Sequence, residues 1–271
     1  MNTLLKILLA TLCCSATTFA QTAEELVNKN IEARGGIDKI KAMHSYRMSG
    51  KVRQGTFSAE VGEEAKEPDL LRQTFTIQGM TAIQAYDGSI GWQISPFGGR
   101  KDPERIGDDD LRDLVEDADF HGPLVDYKVK GHTIEYLGHD TVDGDDALRL
   151  KVTLKNGDVV YDYLDPDTYM EIRIERQQFI RGSVRETLKE LGAYKQVAGV
   201  YYPFSIERGP KADPTARTKI TVDKIEVNIP LDEAAFKMPS AAPVSSPQTR
   251  PQPTAAPDPK KPPKSSGRKQ P

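Results

Sequence analysis

Residues 148–166 read LRLKVTLKNGDVVYDYLDP, and this stretch decides the fold. Leucine and valine occupy every second position from 148 to 154, with Arg, Lys and Thr between them. A period of two is typical of a β-strand with one buried face. Asn156-Gly157 is a favoured two-residue hairpin turn, after which Val159, Tyr161 and Tyr163 resume the alternation. Asp165-Pro166 turns the chain once more, so the stretch predicts consecutive antiparallel strands.

The same alternation extends through most of the chain on either side of this hairpin. Asp87-Gly88 marks another two-residue turn between apolar runs. Near Asp223-Lys224 the apolar parity changes, which predicts a β-bulge. Alternating or apolar runs occur at 46–52, 57–61, 71–77, 82–86, 90–94, 134–136, 172–174, 179–191, 193–204 and 219–229. We therefore predict about 10–11 strands in one antiparallel meander.

Helical patterns are few. Thr22-x-x-Glu25 fits a capping box, apolar residues follow at helical spacing, and Gly35-Gly36 ends the run. A short second helix is predicted over 37–43. Asp108-Asp109-Asp110 predicts a cap and favourable charge at the start of a further helix with an apolar stripe. These aspartates point in different directions on a helix, so a metal site is disfavoured there.

Ten or more strands with only two or three helices predict an α+β, mainly β fold. A sheet of this size curls toward a barrel, and wider barrels leave interior space. We expect an incomplete, half-open antiparallel β-barrel with an N-terminal helix and one or two further helices covering an apolar cavity. A hydrophobic ligand is the expected occupant.

The first twenty residues predict export. Lys6, the apolar run 7–14 and the small residues before position 21 match a cleavable signal peptide. A buried helix or a membrane anchor is the alternative, but the run is short for a span. Both cysteines, Cys13 and Cys14, lie in this segment without a small residue before Cys13, so we expect a periplasmic protein that is not a lipoprotein. The mature chain then has no disulfide.

Residues 240–271 predict a disordered tail rich in proline and lysine, because they carry nine prolines and almost no large apolar side chains. The tail is a plain spacer or a basic arm that contacts an anionic envelope membrane or a protein partner. The remaining domain, residues 21–239, holds 30 Lys and Arg against 39 Asp and Glu, a formal net charge of −9. An acidic domain repels phosphate backbones, so nucleic acid is not an expected partner.

The order of several turn motifs resembles the LolA/LolB-like superfamily of outer-membrane lipoprotein-sorting proteins. The motifs are Ala33-Arg34-Gly35-Gly36, Tyr86-Asp87-Gly88-x-x-Gly91-Trp92, Asn156-Gly157-Asp158, Tyr163-x-Asp165-Pro166-x-Thr168-Tyr169, Gly199-Val200-Tyr201-Tyr202-Pro203-Phe204 and Phe236-x-Met238-Pro239. The resemblance covers most of residues 22–239. It implies a half-open barrel whose cavity holds acyl chains, in a periplasmic carrier of lipoproteins or other lipidic cargo. It also allows an envelope-stress sensor or scaffold that binds a protein partner on the same concave sheet.

Candidate ligand-binding residues follow from strand parity and the helix stripe, and each could instead be ordinary core. They are Tyr46, Met48, Phe57, Phe75, Ile77, Trp92, Ile94, Leu111, Leu114, Val115, Leu150, Val152, Tyr161 and Tyr163. We nominate no catalytic residue, metal ligand or cofactor, because the sequence offers no nucleophile–base pair, phosphate loop or metal-ligand spacing. An enzyme is therefore not expected.

Overall fold

The computed structural model describes residues 21–99 and 101–240. The predicted signal peptide (1–20) and all but the first residue of the predicted tail (240–271) lie outside the described residues. Four α-helices are described: α1 (Ala23–Ala33), α2 (Ile37–Lys41), α3 (Asp108–Ala118) and α4 (Tyr127–Lys130). The strands of the first half are β1 (Ser45–Gln54), β2 (Phe57–Lys66), β3 (Leu70–Ile77), β4 (Met80–Asp87), β5 (Gly91–Ile94) and β6 (Glu104–Arg105). Those of the second half are β7 (Thr133–Val142), β8 (Asp145–Thr153), β9 (Val159–Leu164), β10 (Glu171–Ile180), β11 (Ser183–Gly192), β12 (Lys195–Val197), β13 (Val200–Tyr202), β14 (Ser205–Pro210) and β15 (Thr218–Val227).

Thirteen of the described strands form one antiparallel sheet that does not close. Their spatial order is β6-β5-β4-β3-β2-β1-β15-β14-β11-β10-β9-β8-β7, and β12 and β13 form a separate hairpin. The first long strand pairs with the last, because β1 lies beside β15. The edges β6 and β7 stay unjoined, so the predicted class, a mainly β, half-open antiparallel barrel with few helices, is confirmed.

Several local predictions are confirmed at single residues. Thr22 and Glu25 form the capping box, with their reciprocal bonds at 3.2 and 2.9 Å. Asn156-Gly157 joins β8 to β9, and the amide of Gly157 donates to the Leu154 carbonyl. The predicted bulge is also present, because Ser49 pairs with Lys224 while Gly50 pairs with Val222, which leaves Asp223 extra.

The strand number is larger than the predicted 10–11. Two short strands carry no alternation that could have shown them: β6 has two exposed residues, and β14 contains a single large apolar side chain, Ile206. The run 179–191 is two strands, because Arg181-Gly182 turns the chain at positive φ. The three aspartates occupy the first turn of α3, but its N-cap is Gly107, without a side-chain capping bond.

Different elements cover the two halves of the sheet. Leu26, Val27 and Ile40 of α1 and α2 are buried against β7–β10, in a core that includes Leu150 and Val152. On the other half, Leu114 and Ala118 of α3 pack in a cluster with residues of β2 and β3. Within residues 21–99 and 101–240, no helix combines the length and apolar character that crossing a membrane requires. The space between the two coverings contains the candidate site.

Candidate functional site

A cavity of about 550 Å³ lies on the sheet between the two coverings. We call it the main cavity. Its walls come from β1–β5, β9–β11 and β13–β15, from the end of α3, from the segment 119–123 and from Arg34 after α1. The apolar lining residues are Met48, Val61, Phe75, Ala82, Ile83, Ile94, Phe120, Val160, Ile174, Leu191, Tyr202, Ile206, Ile220, Val222 and Ile225. The volume falls in the range of about 300–1,000 Å³ typical of small-molecule sites.

Strand register explains why one end of this wall is apolar. Val61 pairs with Phe75, and Phe75 with Ala82, across β2, β3 and β4. Directly opposed residues point to the same face of a sheet, so these side chains form one row. Phe57 extends the row outward, stacked on Phe75 with ring centroids 5.9 Å apart, and Phe97 meets Phe75 edge-on at 5.9 Å. Phe57 and Phe97 are exposed, so apolar surface continues from the wall to the outside.

Two residues further along each strand, the same face becomes polar. Glu63 pairs with Gln73, Gln73 with Gln84, and Gln84 with Gln93, across β2 to β5. We call these four residues the polar band. Gln73 donates to Glu63 at 2.7 Å, and the Tyr46 hydroxyl donates to the same carboxylate.

A second, polar cavity of about 460 Å³ begins at this band. It shares seven lining residues with the main cavity: Gln73, Gln84, Gln93, Asp117, Arg176, Lys189 and Arg208. Because both cavities use these side chains as walls, the apolar and polar spaces adjoin. A ligand lying across the boundary would meet hydrocarbon on one side and hydrogen-bonding groups on the other.

Ion pairs connect the inward face of α3 to β10 and β11. Asp113, Glu116 and Asp117 have the i, i+3, i+4 spacing that places residues on one helix face. The Arg176 guanidinium lies 2.7 Å from the Glu116 carboxylate and 3.6 Å from each aspartate. Lys189 donates to Asp117 at 2.9 Å, and Arg185 donates to Asp113 at 2.6 Å. Charge pairs therefore connect this helix to the second half of the sheet.

Neighbouring carboxylates of α3 have opposite pKa shifts. Burial raises the pKa of Glu116 to about 7, against the opposing charges of Arg176 and Lys189. Its Oε2 atom has no hydrogen-bond partner among the described residues, so the charged form is poorly compensated. Burial also acts to raise the pKa of Asp117, but Lys189, Arg176 and Arg208 together outweigh it and hold that pKa well below the ordinary value. Burial and the charge of Asp117 raise the pKa of Glu63.

A buried carboxylate lies in the core close to the main cavity. Asp162 on β9 is fully buried, and neither carboxylate oxygen has a hydrogen-bond partner in the described part of the chain. Burial, followed by the charges of Glu171 and Glu116, raises its pKa well above the ordinary value, which the positive charge of Arg34 only partly offsets. A neutral acid is the form that such surroundings favour.

Four of the predicted ligand-binding residues lie on the main cavity: Tyr46, Met48, Phe75 and Ile94. Phe57 and Ile77 contact that apolar wall without lining the cavity itself. Leu114 lines the polar cavity, and Leu111 packs in the cluster beneath α3. Val115, on the same helix, is 45% exposed. Whether any of them contacts a ligand stays a prediction.

The other five predicted residues lie away from the cavities. Trp92 is buried, and its indole nitrogen donates to the carbonyl of Phe236, in the segment that follows β15, at 2.7 Å. Leu150 and Val152 face α1 and belong to its core. Tyr161 and Tyr163 lie beside the Arg149 guanidinium, 4.3 and 5.4 Å from the ring centroids. Parity separates the two faces of a strand but does not show which face borders empty space.

The polar lining was not predicted as part of the site. Glu63 and Gln73 interrupt apolar parity on β2 and β3, and this interruption is the sequence signal that could have identified them. Arg208 had no such signal because β14 shows no alternation. No cluster of three or more His, Cys, Asp or Glu within residues 21–99 and 101–240 could hold a metal ion.

Comparison with protein-family models and with curated proteins finds no match. Solved structures do match. A LolA superfamily protein from Nitrosomonas europaea, NE2245, is 11% identical and aligns over 80% of this chain and 98% of its own, with a TM-score of 0.54. A DUF1329 family protein from Desulfovibrio piger is 14% identical over the same shares, with a TM-score of 0.55.

The molecule is thus an open antiparallel sheet with few helices around a cavity of ligand size. The same fold occurs in a LolA superfamily protein, and the predicted resemblance is confirmed at the level of fold. At 11–14% identity the likeness concerns the fold alone.

Proposed function

We propose that this protein is a carrier or binding protein for lipoproteins or other acyl-chain-bearing ligands. The chain of the ligand lies in the main cavity, and no covalent bond is made or broken. The observation that carries the proposal is an apolar-walled cavity of about 550 Å³ that the side chains of the protein leave unfilled.

The energetic reason for such a carrier is the cost of exposing hydrocarbon to water. Each buried methylene contributes about 0.8 kcal/mol, so a chain of about 16 carbons gains roughly 12 kcal/mol on leaving water. The row formed by Val61, Phe75 and Ala82 offers a surface for this burial. Exposed Phe57 and Phe97 continue the apolar surface outward and provide a path for the chain to enter.

We further propose that residues 21–239 form the ligand-binding domain and that the protein acts in the periplasm after removal of residues 1–20. Fractionation of cells that produce the full chain tests this location. A mature N-terminus at Gln21 in the periplasmic fraction would support the proposal, and an unprocessed chain in the cytoplasm would contradict it. The roles suggested for the tail 240–271 stay predictions.

Two neighbouring residues of β2 provide a matched test of chain binding. Val61 lines the main cavity, whereas Glu60 is exposed on the opposite face. Val61→Trp should fill part of the cavity and lower the affinity for a fluorescent fatty acid at least tenfold, while Glu60→Trp should bind like the wild type. Circular dichroism checks that both variants fold.

Mass spectrometry of protein purified from its native envelope gives the second readout. We expect acyl lipid to co-purify with the wild type and the Glu60→Trp variant, and much less with Val61→Trp. If the wild type carries no lipid and takes up no fluorescent fatty acid, the carrier proposal fails. Cross-linking to one dominant protein without competition by lipid would instead favour a sensor or scaffold.

A further inference from the structure

We propose that the polar cavity is a headgroup site, and that the ligand is an amphiphile whose acidic head binds Arg208 while its acyl chain lies in the main cavity. The inference rests on the proposed function and adds the chemical class of the ligand. It starts from the seven lining residues that the two cavities share. An amphiphile is the kind of molecule that matches adjoining apolar and polar spaces.

Arg208 differs from the cations beside it. Arg176 and Lys189 both have carboxylate partners on α3, at 2.7 and 2.9 Å. The Arg208 guanidinium forms no hydrogen bond or ion pair with any residue in 21–99 and 101–240, although it lines both cavities and lies opposite Lys189 in the register of β11 and β14. Its five N–H donors therefore remain available to an acidic group, which a guanidinium can bind through two parallel bonds.

The charge of the polar cavity favours an anion. Four cations line it, Arg105, Arg176, Lys189 and Arg208, against three carboxylates, Asp110, Asp113 and Asp117, a formal excess of one positive charge. Asp113 and Asp117 are already paired with cations of β10 and β11. Arg176 is paired with Glu116. The charge of Arg208 acts on Asp117 and Glu63 without a direct hydrogen bond to either among the described residues, so this guanidinium is the one left for the head of an amphiphile at the boundary with the apolar space.

Neutral donors lie on the same walls. The side-chain oxygen of Gln93 accepts a hydrogen bond from the Gln84 side chain at 3.4 Å, and the side-chain nitrogen Nε2 of Gln93 makes no hydrogen bond with the described residues. The Thr187 hydroxyl on β11 likewise has no partner in the described part of the chain, and it lines the polar cavity. Carboxylate and phosphate heads both carry acidic oxygens that such donors can bind. The site does not distinguish them by chemistry alone, so the experiment tests each head separately.

Three probes with the same chain length isolate the effect of the head: dodecanoate, dodecyl phosphate and uncharged dodecanol. Isothermal titration calorimetry on the full chain should show at least one acidic probe bound about tenfold more tightly than dodecanol. Arg208→Gln should reduce that ratio to about one without weakening dodecanol, and Arg208→Lys should keep part of it. A charge-assisted hydrogen bond accounts for an effect of this size.

Two other arginines serve as controls. Arg53 is exposed on β1, lines neither cavity and has no ion pair among the described residues, so Arg53→Gln should bind all three probes like the wild type. Arg34 lines only the main cavity, and its charge acts on Asp162, Tyr194 and Tyr202. Arg34→Gln should leave the preference for an acidic head intact.

The outcomes separate this inference from the proposed function. If dodecanol binds and neither acidic probe binds more tightly, the headgroup site is refuted and chain binding stands. A preference that survives Arg208→Gln, or that Arg34→Gln removes, also refutes the assignment to Arg208. If none of the probes binds, the proposed function itself fails.

Discussion

Glu116→Gln tests the electrostatics of α3. Glu116 is the carboxylate nearest Arg176, yet burial raises its pKa from 4.5 to about 7. The folded protein therefore holds a proton there that the unfolded chain releases between these pH values. Stability falls with rising pH wherever the folded state binds more protons. We expect the contribution of Glu116 to be most favourable below pH 4.5 and to be lost progressively up to about pH 7.

The size of the stability change follows from the difference between the unfolded and folded pKa values of Glu116. At about 1.36 kcal/mol per pH unit, the difference between 4.5 and about 7 corresponds to roughly 3 kcal/mol in the free energy of unfolding. The side chain is only 14% exposed, so solvent screens this effect little. Glutamine resembles the protonated acid and does not ionise. Glu116→Gln should match the wild type near pH 4.5 and be about 3 kcal/mol more stable near pH 8.

Urea unfolding at several values between pH 4.5 and 8 measures this difference. Glu60→Gln removes an exposed carboxylate from β2 and is the control, with a profile parallel to that of the wild type. Parallel profiles for Glu116→Gln and the wild type would refute the reasoning. A glutamine variant that is less stable at pH 8 would refute it too, because the 2.7 Å pair with Arg176 would then outweigh the cost of burial.

Three further substitutions address the fold around the cavity. Trp92→Phe leaves the buried Phe236 carbonyl without its donor, so thermal or urea unfolding should show a loss of about 1–3 kcal/mol with acyl-chain affinity unchanged. Gly35→Ala should lower the free energy of unfolding by about 1–3 kcal/mol or more in the same assay. Gly35 has φ of +126°, and a Cβ atom there would lie 2.2 Å from the Gly199 carbonyl oxygen. Leu150→Ala should cost about 2–5 kcal/mol because Leu150 is fully buried under α1, but calorimetry with dodecanol should show unchanged affinity, which a lining residue would not do.

Short-range patterns predicted the fold well. The hairpin at Asn156-Gly157 and the bulge at Asp223 are each determined by a few adjacent residues, and both occur where the sequence indicates. Turn chemistry and alternation act locally, so they can be read without the tertiary structure. The strand β14 was missed for the same reason: its sequence has one large apolar side chain and no alternation to detect.

The candidate site was predicted less well because it depends on what covers each face. Met48 and Leu150 have the same strand pattern, yet one borders the main cavity and the other lies beneath α1. Their difference arises from helices far away in sequence. The pairs between Asp113 and Arg185, and between Asp117 and Lys189, each join residues 72 positions apart, which no local pattern indicates.

Those same pairs explain why the cavity exists. A helix attached to the sheet by leucines at positions 113, 116 and 117 would bring apolar side chains toward β10 and β11, and packing at interior density would leave little free volume. Acids at these positions instead meet Arg176, Lys189 and Arg185. The buried apolar cluster under α3 takes its strand residues, Ala65 and Leu71, from the first half of the sheet. The helix is held on both sides while the apolar wall between them stays uncovered, so the acidic face of α3 is what leaves room for a ligand.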